Sequence, residues 1–130
     1  MGEEFAQVVR KGFDAFGRGD LDTLRNEVFT EDTVWHVGGR SQLSGDYTGQ
    51  ELFDWFGRLV ELSGGTFQVS VHDVTTSDQH AVVLTEASAE RNGRRLDGAK
   101  GLQVHHFQGG KISESWLSAE DTYTFDEFWA

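Results

Sequence analysis

The sequence predicts an α+β fold: a curved antiparallel or mixed β-sheet packed against three helices of the N-terminal half and enclosing a pocket. Three observations predict it. Apolar residues recur at helical spacing in the first half of the chain. Long β-branched stretches separated by tight turn signals fill the second half. Helices followed by adjoining strands bury one sheet face under a helical layer, and a curved sheet cannot lie flush against straight helices, which leaves a hollow between them. The 130 residues suit one domain, 1–130, able to bury a core of its own.

The elements follow in order. Phe5, Val9, Phe13 and Phe16 recur at helical spacing with Val8 beside them, predicting an amphipathic helix over 3–16 that Gly17 and Gly19 end. Asp20 is a good N-cap for a short second helix in which Leu21, Leu24 and Val28 share a face. A strand over 33–37, TVWHV, stops at Gly38-Gly39. After a loop, Thr48 and Glu51 have capping-box spacing, and Leu52, Trp55, Phe56 and Leu59 form the apolar stripe of a third helix ended by Gly64-Gly65. Strands are expected over 67–74, 80–91, 96–107 and 112–117, joined by TTSDQ, RNGR and QGGK turns into an antiparallel meander. The tail, with Tyr123, Phe125, Phe128 and Trp129, is expected to fold back as a short cap.

Composition excludes whole classes of function. With no cysteine, disulfides, thiolate metal sites and cysteine nucleophiles are ruled out. Eleven basic against 22 acidic residues give a net charge of −11, a field that repels phosphate backbones and anionic lipid, so neither a nucleic-acid nor a membrane partner is expected. The start carries acids and no apolar run of signal-peptide length, so a cytoplasmic location is expected. Of the five histidines only His105 and His106 are close, and adjacent strand residues face opposite ways, so no metal site is expected.

FGRGDLDTL (16–24), FTEDTVWHVGG followed by SGDYTGQELFDWF, and HHFQGGKISESW resemble the SnoaL-like proteins of the nuclear transport factor 2-like superfamily, which include ketosteroid isomerases and small polyketide cyclases. The resemblance spans nearly the whole chain. It implies a conical α+β barrel, an internal pocket for a largely apolar small molecule, no cofactor, and a homodimer formed through the sheet's outer face. It also places Gly12 where the isomerases carry a tyrosine donor, Val37 near the position of their base, and His105 near that of their protonated carboxyl. Steroid isomerisation by that mechanism is therefore not expected.

Candidate site residues follow from strand parity. One of His105 and His106 must face inward; family register favours Gln103, His105 and Phe107, whereas Leu102 and Val104 favour the opposite parity unless the outer face is itself covered. An inward His105 is read as a proton-transfer group and equally as a structural histidine. If Val37 faces inward so does Trp35, as an aromatic wall or a plain core residue, leaving His36 exposed or at the rim. Asp121 falls where the cyclases resemble one another in carrying an acid/base aspartate, and could equally cap the tail helix. Tyr47 and Gln103 are candidate donors, Phe53, Trp55 and Phe56 candidate walls, and Gly12 a residue that makes room for a ligand or a neighbouring helix. The function expected is binding of a small, hydrophobic, carbonyl-bearing molecule, with cofactor-independent isomerisation, cyclisation or hydration through His105 and Asp121. The alternative is a non-catalytic ligand-binding or dimerisation module.

Overall fold

The computed structural model describes residues 2–130. Helix α1 (Gly2–Gly17) buries Phe5, Val9 and Ala15, and Phe5 stacks on Phe107 with ring centroids 4.1 Å apart. Asp20 caps the next turn, its carboxylate accepting from the Thr23 N–H at 3.1 Å and the Thr23 hydroxyl at 2.6 Å. The short helix α2 (Leu21–Thr23) runs into a π turn at Leu24–Val28, closed by the Phe29 N–H on the Leu24 carbonyl. This wider turn breaks the expected shared face. Leu24 and Val28 are buried while Leu21 is exposed.

Strand β1 (Phe29–Val37) begins four residues earlier than its β-branched run suggests. The extension is held by a buried threonine. Thr33 Oγ1 accepts from the Thr30 N–H at 2.8 Å and reaches the Ile112 carbonyl at 2.8 Å, bridging an irregularity in the register. Strand β2 (Gly45–Thr48), expected as loop, pairs along β1 as an edge. Helix α3 (Gln50–Leu62) then follows its N-cap Gly49, whose φ of 62° glycine adopts without strain. Only half of the expected capping box forms: Glu51 accepts from the Thr48 N–H at 3.2 Å, but Thr48 itself belongs to β2.

Strands β3 (Gln68–Thr76), β4 (His80–Arg91), β5 (Arg94–Gln108) and β6 (Lys111–Ala119) form the expected meander, and α4 (Thr122–Phe128) folds back over it. The sheet order is β2-β1-β6-β5-β4-β3. All neighbours are antiparallel except β1 and β6, which are parallel, so the sheet is mixed and open rather than closed into a barrel. Irregularities at Val71/Asp73, Ala87/Ala89 and His106/Phe107 accompany its curvature. The core, including Trp35, Trp55, Phe56 and Trp129, lies between the sheet's inner face and the helices. Among the described residues no helix is long and apolar enough to cross a membrane.

Candidate functional site

Residues directly opposite one another on paired strands share a face. On the inner face the register sets Tyr47, Trp35, Ser115, His105 and Ala81 in one row across five strands. The next row holds Gly45, Val37, Leu117, Gln103 and Val83. A third brings Thr85, Gly101 and Ala119 together. His105 is thus a polar residue set into an apolar floor, and it is 2% exposed.

Both imidazole nitrogens are engaged. His105 Nδ1 lies 2.6 Å from Ser115 Oγ and Nε2 lies 3.0 Å from Gln103 Oε1. An amide oxygen only accepts, so Nε2 carries the proton and Nδ1 accepts from the serine hydroxyl. Burial pushes the imidazole down to about 4, which leaves the ring neutral near neutral pH.

Two hollows meet at this floor. The inner one, about 100 Å³, is bounded by α1, the π turn, α3 and the sheet, and includes Gly12, Trp35, Phe56 and His105. No charged residue lines it. The outer hollow, about 420 Å³, lies between the sheet, α3 and α4, with Arg95, Lys100, Glu120 and Asp121 among its polar residues. Trp55, Leu59, Phe67, Val69, Gln103 and Leu117 border both. Gln103 therefore stands between the wider space and the imidazole.

The donors of this site are not all occupied. Trp55 Nε1–H donates to the Leu43 carbonyl at 2.9 Å. Trp35 Nε1 is buried without a hydrogen-bond partner, alone in this among the buried side-chain nitrogens and oxygens of the described residues. Gly101 and Thr85 pair on the wall of the outer hollow, and a Cβ at Gly101 would meet Thr85 Oγ1 at 2.8 Å, so the missing side chain admits the threonine.

The remaining candidates divide clearly. Gln103, His105, Trp35, Trp55 and Phe56 lie together at the hollows. Asp121 is not joined to His105. Its two oxygens serve the Thr124 N–H at 3.2 Å and the Thr124 hydroxyl at 2.8 Å, capping α4, and these bonds hold its carboxyl below the usual range. Tyr47 faces inward, but its hydroxyl is spent on the Leu43 carbonyl at 3.0 Å and the Ser44 carbonyl at 3.2 Å. Phe53 lines neither hollow; its ring meets Phe29 and lies 4.4 Å below the Arg25 guanidinium. Gly12 lines the inner hollow, and a Cβ there would stand 3.2 Å from Val28 Cγ1, so its missing side chain also admits the π turn. His36 turns to the outer face, where Nδ1 meets Asp46 at 2.6 Å and Nε2 meets Glu114 at 2.7 Å.

Residues 9–115 match the SnoaL-like domain model. The chain belongs to the SnoaL-like family. Bal32a, from a soil-derived mobile gene cassette, is 37% identical over 99% of this chain and 98% of its own, with a TM-score of 0.94. A protein of unknown function with a cystatin-like fold from Xanthomonas campestris is 29% identical, covering 100% of this chain and 99% of its own, with a TM-score of 0.89. An NTF2-like protein from Burkholderia xenovorans shares the fold at 20% identity, with a TM-score of 0.80 over 100% of this chain and 98% of its own. No functionally curated protein matches the sequence.

In this SnoaL-like domain the sequence pointed to the imidazole but not to its serine. Ser115 was missed because strand pairing had to be counted back from the Gly109-Gly110 turn. Two-residue pairing, as at Gln108 with Lys111 and Phe107 with Ile112, extrapolates to Glu114 opposite His105. The irregularity after Phe107 shifts the register by one and brings Ser115 there instead. Among the described residues no group of three or more metal-binding side chains is assembled.

Proposed function

We propose that this SnoaL-like domain binds a small, largely apolar molecule bearing a carbonyl oxygen, with its hydrocarbon part in the outer hollow and its oxygen toward His105. The observation that carries this reading is the outer hollow of about 420 Å³, whose floor leads past Gln103 to a buried neutral imidazole. Such a space is in the range of small-molecule sites, and its few convergent polar groups would fix orientation. A carbonyl oxygen entering the inner end would compete with Gln103 Oε1 for the His105 Nε2–H. Gly101 and Thr85 would lie along the wall of the hollow.

Turnover of that molecule is the second reading. A neutral imidazole can polarise a carbonyl by hydrogen bonding, as the electrophile of a cofactor-independent isomerisation, cyclisation or hydration. As a base it is weak, because a conjugate acid near 4 lies well below neutral pH. Asp121, on the wall of the outer hollow, would have to leave Thr124 before taking a proton. Binding is therefore the reading that the geometry favours.

Two measurements with one probe separate the readings. Titrating the protein with α-tetralone should move the backbone amide resonances of Thr85, Gln103 and Leu117, and shifts confined to the sheet's outer face would contradict the binding site. In heavy water, catalysed deuterium uptake at the carbon beside the carbonyl, lost in His105→Asn, would establish turnover. Binding without uptake would leave a binder.

The same domain is proposed to form a homodimer through the sheet's outer face. Leu84, Leu102 and Trp116 are 42%, 38% and 37% exposed there, and Val82 and Val104 lie beside them by register. An exposed apolar face of that kind on a chain of net charge −11 is expected to be covered.

A further inference from the structure

We infer that the Trp35 indole N–H is the anchoring hydrogen-bond donor for a neutral ligand oxygen at the inner end of the site, a role that rests on the binding proposed above. Trp35 lies in the same inner-face row as Ser115 and His105, and its ring centroid is 6.2 Å from that of His105. It lines the inner hollow, and its Nε1 has no partner in the protein. A buried donor left unpaired costs about 1–3 kcal/mol, so something other than the chain is expected to satisfy it.

The surroundings say what that acceptor is. A trapped water needs about two to four polar partners, and Gln103 and His105, the two polar side chains that line the inner hollow with Trp35, already bond to one another, His105 also to Ser115. A water at Trp35 would therefore be held by little beyond one N–H. An anionic oxygen fits no better, because no cation lines the inner hollow and an uncompensated buried charge is heavily penalised. A ketone, aldehyde or ester carbonyl meets both conditions. It is satisfied by the one Trp35 N–H without bringing charge, its hydrocarbon part being held by the apolar walls, and it takes the His105 Nε2–H as well only where it displaces Gln103 Oε1.

The test compares three probes of similar size: α-tetralone with a neutral carbonyl, tetralin with none, and α-naphthoate with a carboxylate. Wild-type protein should bind α-tetralone about two- to tenfold more tightly than tetralin, the range one hydrogen bond gives, and α-naphthoate more weakly than either. Trp35→Phe should keep its tetralin affinity and lose the preference for the ketone. In proton–nitrogen correlation spectra of the wild type, α-tetralone should move the Trp35 indole resonance downfield while tetralin does not. That measurement decides the matter even if the variant fails to fold. A ketone preference that survives in Trp35→Phe, or an indole resonance indifferent to α-tetralone, overturns the donor role. Equal binding of ketone and hydrocarbon removes the donor role and leaves the binding site standing. No binding of any probe removes both.

Discussion

His36 and His105 show how the same side chain is shifted in opposite directions on the two strands, β1 and β5, that flank β6. His36 has a carboxylate on each nitrogen, Asp46 first and Glu114 second, and these bonds raise its pKa above the ordinary histidine value. His105 has neutral partners and burial, which lowers it. The consequences for stability have opposite signs. A raised folded pKa stabilises fully below the unfolded value of about 6.5, and the contribution fades as pH rises through the folded value. His36→Gln should therefore lose more thermal stability relative to wild type at about pH 6 than at about pH 9. A difference that stays constant across that range contradicts the clamp. For His105 the depressed value means that the folded state resists a proton the unfolded state accepts, so its contribution is present above about 6.5 and is lost as pH falls toward 4.

At the scale of elements, much of the fold was legible because periodicity and turn chemistry agreed. Helix α3 was readable from Leu52, Trp55, Phe56 and Leu59, all buried. The RNGR and QGGK turns were readable because Asn92-Gly93 and Gly109-Gly110 take the positive φ values that such hairpins need. What failed was set by tertiary contacts. Strand β2 is a short edge that exists only by pairing with β1, and the π turn shifts the face of α2 by one residue so that Gly12 and Val28 can meet. The site was half legible for the same reason: parity required one of His105 and His106 to face inward and the family register, not the local pattern, favoured His105 and Trp35, while the Ser115 partnership depended on an irregularity invisible in local sequence. Asp121 illustrates the limit. Its position fits a catalytic acid and a helix cap equally, and the Thr124 contacts are the ones that form. Gly57 offers a clean test of the α3 assignment. It lies exposed in mid-helix with nothing within 4 Å of where a Cβ would stand, so Gly57→Ala should stabilise by about 0.5–1 kcal/mol, seen as a higher melting temperature. A loss of stability would mean that this glycine serves something other than the helix.

For the whole molecule, the two sides of the sheet carry different tasks. The inner side is roofed by α1, α3 and α4 and holds the hollows; the outer side is unroofed and carries an aromatic row in which Trp116 lies 5.3 Å from His36 and 4.8 Å from His106. If that row is the seam between two copies, Leu102→Lys together with Trp116→Glu should halve the mass measured by light scattering. A wild-type protein already monomeric, or a doubly substituted protein still dimeric, contradicts the seam. The inner side carries the central claim, that the hollow receives a carbonyl-bearing molecule at Trp35 and His105. A crystal structure of the protein with α-tetralone tests it most directly. The bicyclic ring should lie in the outer hollow against Gln103 and Leu117, with its oxygen within hydrogen-bonding distance of Trp35 Nε1 or His105 Nε2. Ligand density on the outer face alone, or the hollow closed by repacked side chains with the ketone excluded, would contradict it.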